Sequence, residues 1–205
     1  MGNVGSALGN WWAGAGHDVT FCVRDPGDAR KRADAEKMKA KIGPVSDAAK
    51  AQTVLLAVPR AAVKDALKAA GDLTGKVLLD CTNPVTPELT HLTIGHTTSA
   101  GEEVARMAPN ARVVKVFNTN DAKNMADPDY GRHKVTMLYA GDDEGANRAA
   151  AELAEQTGFE PVYLGPLKEA RLLESLAMAW IVLARHRGLG RDFALDVVRR
   201  PVAAR

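Results

Sequence analysis

The sequence predicts an α/β fold, a doubly wound and mainly parallel sheet with helices on both faces and a further helix near the C-terminal end. Short apolar, β-branched runs recur at Val19–Val23, Thr53–Val58, Lys76–Cys81, Arg112–Phe117, Val135–Ala140 and Glu160–Leu164, and stretches with helical spacing alternate with them. Several of these runs are apolar throughout rather than alternating, as strands covered on both faces require. The chain opens on Gly2-Asn3-Val4-Gly5, the spacing of the last two glycines of a G-x-G-x-x-G turn that leads into a helix.

Taken in order, Gly5 opens a helix predicted to reach about Gly16, with its positive N-terminal end toward any phosphate held at the turn. Val19–Val23 is then a buried strand, with Arg24 at its end. Pro26–Lys41, rich in alanine and charge, is predicted helical. Pro44–Ser46 is predicted as a brief edge strand before a turn capped by Ser46 or Asp47. Pro59 stops the run Thr53–Val58, and Ala61–Ala70 has helical spacing. The run Lys76–Cys81 ends at Thr82-Asn83-Pro84. Ser99 is placed as the N-cap of a helix to Ala108, with Glu102 at the capping-box position. Arg112–Phe117 runs into Asn118-Thr119-Asn120, and a strand, a helix over Glu144–Thr157 and another strand follow. Residues 168–187 are predicted as one long helix, apolar nearly all round in its middle, which predicts packing on its own sheet and on a second subunit of a homodimer. Residues 188–205 read as a tail. The expected division is a nucleotide-binding domain at 1–165 and a helical extension at 166–205.

A chain of 205 residues that is 46% hydrophobic and 25% charged suits one globular core. Its 27 basic and 25 acidic residues give net +2, no footprint for nucleic acid, although residues 24–41 are locally basic. No charged-then-apolar leader opens the chain and no apolar run approaches 18 residues, so a cytoplasmic, soluble protein without a membrane partner is expected. Cys22 and Cys81 lie in apolar strand patterns and are expected as buried, reduced thiols. His91 and His96 stand five apart without nearby acids, so no metal site is expected. His17 is placed in a turn, His133 and His186 on the surface. Of Trp11 and Trp12, one is expected to pack inward and the other to meet solvent or a partner.

In an open parallel sheet a ligand lies across the carboxyl ends of the strands. Gly2, Asn3, Val4 and Gly5 are therefore the candidates for a pyrophosphate. Val23 stands 18 residues after Gly5, where an acid would bind the ribose 2′-hydroxyl of NAD; an uncharged residue followed by Arg24 favours the 2′-phosphate of NADP(H). Arg30 and Lys31 are within plausible reach of the same phosphate. Val58 and Pro59 are candidates for lining the adenosine ribose, and Asn83 for binding the nicotinamide ribose. Asn118 and Thr119 lie furthest along the crevice, in a positioning role where a nicotinamide and its redox partner would meet. There is no Ser-His-Asp, Cys-His or H-E-x-x-H arrangement and no obvious acid–base residue at the innermost strand end. Hydride exchange between two redox heterocycles, which needs mainly stacking and alignment, suits these residues better than reduction of a carbonyl or imine. The usual strand before the glycine turn has no counterpart after Met1. Its absence would leave two strands unpaired in mid-sheet, and about eight further residues upstream are expected on this ground.

The segments GNVGSALG, GHDVTFCVRDP, LLAVP, VLLDCTNP, VVKVFNT, the AGDD before a helix and GFEPVYLGPLKEARLLE resemble, in this order over nearly the whole chain, the coenzyme F420-dependent NADP oxidoreductase family. The resemblance implies a Rossmann fold and NADP(H) bound along Gly2, Asn3, Val4, Gly5, Arg24, Val58, Pro59 and Asn83. It implies hydride transfer to or from a deazaflavin near Asn118 and Thr119, with the 166–205 extension completing the acceptor site and a dimer interface. It transfers the NADP(H) site better than the acceptor, so a flavin, a ferric chelate or a quinone stay open. A non-catalytic NADPH sensor is the alternative of a different class. A β-hydroxyacid dehydrogenase would carry asparagine four residues after the helix lysine; here Lys168 is followed by Leu172.

Overall fold

The computed structural model describes residues 1–131 and 134–200. His133 and the last five residues of the predicted extension lie outside the described residues. The chain forms α1 (Asn3–Gly14), β1 (Thr20–Val23), α2 (Ala29–Lys37), β2 (Lys41–Pro44), β3 (Thr53–Leu56), α3 (Val63–Ala70) and β4 (Val77–Asp80). It continues with α4 (Ala100–Met107), β5 (Arg112–Lys115), α5 (Ala122–Ala126), β6 (Thr136–Gly141), α6 (Glu144–Gln156), β7 (Glu160–Gly165) and α7 (Ala170–Ile181). This is the α/β, mainly parallel Rossmann-like architecture that the pattern of runs predicts.

The strands order as β1-β2 and as β3-β4-β5-β6-β7. The two sheets do not pair with each other, so β1 and β3 each keep an open edge at the place where a further central strand was expected. Burial follows from this: every residue of β4 is buried, whereas in β3 only Leu56 is. The apolar run at 53–58 is therefore an edge strand rather than one enclosed on both sides. Helix α1 spans the division. Its Gly9 lies against the Phe21 ring of β1, a close approach that a side chain there would block, and Gly2 sits beside the Ala57 carbonyl just past β3.

Alternation along the strands sends residues to two cores. Val77, Leu79, Val114, Val116 and Met137 pack with Leu8 and Trp12 of α1, Met125 of α5 and the alanine face of α6. Leu56, Leu78 and Val113 pack with Val63 and Leu67 of α3, Val104 of α4 and Ala170 of α7. Trp12 is buried and donates through Nε1 to Leu153 O at 3.1 Å, while the more exposed Trp11 donates to Met125 O at 3.0 Å.

Several expectations shift. The edge strand predicted at 44–46 is β2, three residues earlier, because 45–50 winds into a 3-10 turn after Pro44. The one antiparallel pairing of this mainly parallel sheet is between β5 and β6, through Val114–Gly141 and Lys115–Ala140. Among the described residues the connection between them holds one short helix, α5. The helix predicted over 168–187 begins as a 3-10 turn, is α-helical over Ala170–Ile181 and loosens into a π turn over Val182–His186. The described part of the tail is anchored: Phe193 stacks on Trp180 with centroids 5.0 Å apart, Arg191 grips Asp121 with two hydrogen bonds, and Asp196 accepts from Thr136 N and Oγ1.

Ser99 caps α4 as predicted, accepting from Glu102 N at 3.0 Å, and its hydroxyl donates to the Glu102 carboxylate. That carboxylate also takes a two-fold grip from Arg171 of α7, at 2.8 and 2.6 Å, which holds α7 to α4 and keeps the Glu102 carboxyl below its ordinary range. A depressed folded pKa contributes stability that is fully present above the unfolded value of about 4.3 and is lost as pH falls through the folded one. Glu102→Gln is therefore expected to lower the melting temperature near neutrality and to flatten its decline on acidification, as followed by circular dichroism. An acid decline parallel to that of the unaltered protein would contradict the assignment.

Candidate functional site

Sheet order sets the site out along one edge. Past the carboxyl ends of successive strands stand Arg24 after β1, Val58 and Pro59 after β3, Asn83 after β4 and Asn118 and Thr119 after β5. Helix α1 points its N-terminus at this edge. Gly2 is the N-cap, with φ −87° and ψ 163°; no side chain caps the helix and no acid stands in its first turn. A Cβ added at Gly5 would meet nothing within 4 Å. The first turn thus has neither a side-chain cap nor an acid to offset its dipole, an arrangement suited to a phosphate.

The side chains of Arg24 and Arg30 have no partner among the described residues. Lys31, by contrast, pairs with Asp28 at 3.0 Å, and Arg32 donates to Pro26 O at 2.7 Å. Of the three arginines that follow β1, these two have guanidinium groups available to a phosphate.

At the other end, Asn83 and Asn118 are brought into direct contact. Asn83 Nδ2 donates to Asn118 O at 2.8 Å, and Asn118 Nδ2 donates to Asn83 Oδ1 at 3.0 Å and to Leu173 O of α7 at 3.1 Å. Asn118 Oδ1 and Thr82 Oγ1 are buried without a partner. A buried unsatisfied acceptor costs about 1–3 kcal/mol, which makes this a place where a donor is stabilising. Phe117, just before Asn118, has φ +59° and is buried with its ring edge-on to Trp12, centroids 5.9 Å apart. A left-handed backbone at a bulky residue is uncommon and is held only by its surroundings.

Behind these strand ends lies a charged group that the strand patterns concealed. Lys115 and Asp80 are register partners on β5 and β4, both fully buried, with Nζ 2.9 Å from Asp80 Oδ2. Glu174 of α7, 1% exposed, stands 2.9 Å from the same ammonium. The Glu174 carboxylate also accepts from Ala100 N and Gly101 N, at 2.9 and 3.0 Å, at the start of α4. Burial opposes the Lys115 charge, but the two carboxylates override it and hold its pKa above that of an ordinary lysine. The signal was present: VLLDC and VVKVF each carry one charge, of opposite sign, in an otherwise apolar strand.

An open cleft of about 500 Å³ runs beside the edge rather than along it, from Asn3 down α1 past Ser6 and Asn10, between Met38 and the side chains of Lys123 and Arg191. Of the predicted site residues only Asn3 lines it. His17 bonds Gln156, His186 bonds Leu89 O and His91 bonds Thr90, so none of these is at the edge. Both cysteines are free; Cys81 is buried but Cys22 only partly so. Burial pushes both thiols up, Cys81 further, so neither is poised as a nucleophile. Lys168 is exposed at the surface, 3.8 Å from Glu169.

A Rossmann-like sheet with an uncapped, glycine-opened helix over its carboxyl edge defines a dinucleotide-binding protein, and comparison with known proteins makes the class narrower. Residues 1–84 match the family model described as NADP oxidoreductase, coenzyme F420-dependent. The crystal structure of a candidate F420-dependent NADP-reductase from Arthrobacter sp. FB24 is 32% identical, with 97% of this chain and 96% of that one covered and a TM-score of 0.85. A hypothetical protein from Sinorhizobium meliloti, SMa0349, is 31% identical over 83% of this chain and 84% of its own, with a TM-score of 0.73. Metalloreductase STEAP3 of Rattus norvegicus is 32% identical over 128 residues, 62% of this chain, which spans a quarter of that protein's length (25%). A Streptomyces aurantiacus imine reductase, 19% identical with a TM-score of 0.64 over 91% of this chain and 61% of its own, shares the fold. The chain belongs to the coenzyme F420-dependent NADP oxidoreductase family, an NADP(H)-binding oxidoreductase family.

Gly101 lets α4, α7 and Lys115 meet. A Cβ there would stand 3.1 Å from Ala170 Cβ and 3.6 Å from Lys115 Cδ. In the first turn of a helix, alanine regains only a fraction of the roughly 1 kcal/mol that separates it from glycine, and overpacking outweighs it. Gly101→Ala is expected to destabilise the fold by about 1–2 kcal/mol in urea unfolding; unchanged or higher stability would contradict this packing.

Proposed function

We propose that the chain binds NADP(H) across the carboxyl edge of its sheet and exchanges a hydride with a small-molecule acceptor, a deazaflavin or a flavin-like ring. The observation that carries this reading is the inner end of the crevice. The polar side chains there, Asn83, Asn118 and Thr119, are neutral, while Lys115 and Asp121, the ionisable residues nearest Asn118 in the chain, are both bound in ion pairs. Reduction of a carbonyl or imine asks for a positioned proton donor, whereas exchange between two redox rings asks chiefly for alignment.

When bound, the nicotinamide supplies or accepts the hydride. The chain's own part is to bind and orient. The N–H groups of Gly2, Asn3, Val4 and Gly5 would hold the pyrophosphate, Arg24 the 2′-phosphate with Arg30 beside it in sequence, and Val58 and Pro59 the adenosine ribose. Asn83 would bind the nicotinamide ribose, and Asn118 and Thr119 would align the ring. The unpartnered Asn118 Oδ1 supports a donor from the ligand at this end.

The outer side of α7, where Leu172 is 57% exposed, is assigned to a second copy of the chain, with residues 166–205 contributing to the acceptor site and the dimer. Among the described residues no helix is long and apolar enough to cross a membrane. A cytoplasmic setting, where Cys22 and Cys81 stay reduced, goes with this reading.

Mixing the protein with NADPH and, in turn, a deazaflavin, riboflavin phosphate and a ferric chelate tests the reaction, read as loss of the nicotinamide absorbance. Turnover of a ring acceptor is expected. Turnover of the ferric chelate alone would move the assignment to a metal reductase, and tight NADPH binding without any turnover would make the chain a sensor. For the cofactor, Arg24→Ala is expected to weaken NADPH by about 1.5–3 kcal/mol, the loss of a charge-assisted hydrogen bond, and to leave NADH nearly unchanged in calorimetric titration. Equal losses for both would contradict the role of Arg24.

A further inference from the structure

We infer that Lys115, Asp80 and Glu174 are positioning residues for the nicotinamide end of the crevice: buried behind it, they fix the strand-end segments that present Asn83 and Asn118 and tie both to the last helix. This rests on the NADP(H) reading above and adds how its inner end is held.

The first ground is direction. A lysine ammonium has three donors, and Lys115 Nζ has three acceptors, Asp80 Oδ2, Glu174 Oε1 and the Thr82 carbonyl. Its orientation is thereby fixed. The Thr82 main chain is held on both sides, since its N–H donates to Asp80 Oδ1 at 2.9 Å while its carbonyl accepts from Lys115. Asn83 is the next residue, so the network sets the point from which it departs.

The second ground is the path from β5. Lys115 is three residues before Asn118, and between them the chain turns through the left-handed Phe117. Such a conformation persists where neighbours over-determine it. Here the Lys115 end is pinned by the ion network, the Phe117 ring by Trp12 and the Asn118 end by Asn83 and Leu173 O. Leu173 immediately precedes Glu174. One turn of α7 thus supplies both the carboxylate that holds Lys115 and the carbonyl that holds Asn118.

Stability alone is a poor account of these three residues. A buried ion group adds little over well-packed apolar side chains of the same volume, because desolvation offsets the attraction. What it adds here is a single geometry, shared by β4, β5, α4 and α7, at the back of the proposed nicotinamide site.

The test uses Lys115→Met/Asp80→Asn/Glu174→Gln, in which the network is neutral, with a thermal melt to establish folding. Adenosine 2′,5′-bisphosphate probes the Arg24 end alone, and the fluorescence of protein-bound NADPH probes the nicotinamide end without any acceptor. The expected result is bisphosphate affinity within about twofold of the unaltered protein, with the enhancement and anisotropy of bound nicotinamide emission reduced by at least about half, since a loosened ring moves more freely. If the triple variant does not melt cooperatively, Glu174→Gln, which keeps the Lys115–Asp80 pair, is read in the same way. An unchanged nicotinamide signal in a folded variant overturns the inference alone. Equal loss of bisphosphate affinity and nicotinamide signal makes the network a structural element and also overturns it. Failure of the unaltered protein to bind the bisphosphate overturns the cofactor reading, and this inference with it.

Discussion

Two opposite charges face each other across β4 and β5 with no access to water, and the rest of the molecule is arranged to satisfy them. An isolated buried charge would cost several kcal/mol. Asp80 and Lys115 meet at 2.9 Å, Glu174 completes the set, and the first N–H groups of α4 absorb the surplus negative charge. Because Glu174 comes from α7, the last helix is docked by chemistry as well as by its apolar contacts. Because the N–H groups come from α4, its first turn must approach closely, which Gly101 allows. Through the Thr82 carbonyl, which accepts from Lys115, the same group reaches the residue before Asn83 at the carboxyl edge of the sheet.

The other half of the edge is held differently. The division between β1 and β3 leaves α1 as the element that bridges them, with Phe21 on one side and the Ala57 carbonyl on the other. The N-terminus of that helix has no side-chain cap, and the arginines past β1 whose guanidinium groups have no partner among the described residues are Arg24 and Arg30. Opposite ends of one crevice thus offer opposite chemistry: free positive groups and backbone donors at the α1 and β1 end, neutral amides over a locked ion group at the β4 and β5 end. The first suits the phosphates of NADP(H), the second a ring that must be placed rather than protonated.

Much of this was legible in the sequence because apolar runs mark strands, and the residue that follows a run falls at the strand's end whatever the boundary error. Arg24, Val58, Asn83 and Asn118 reached the carboxyl edge for that reason, and the family likeness rests on the same segments. Partnerships were less legible. Asp80, Lys115 and Glu174 each look incidental in its own apolar window, and only the register of β4 with β5 and the docking of α7 make them one group. The direction of β6 is not encoded in its period, so its antiparallel pairing with β5 is visible only in the fold. Residues 188–205 read as a tail because Asp121 and Thr136, which anchor part of the described stretch, lie 60 to 70 residues away in sequence.

The central claim is that NADP(H) lies along this edge, and a crystal structure of the NADPH complex tests it most directly. The account predicts the pyrophosphate over the first turn of α1, the 2′-phosphate at Arg24 and the nicotinamide beside Asn83 and Asn118. A cofactor found instead in the cleft along α1 between Met38 and Arg191, with Arg24 unengaged, would contradict it.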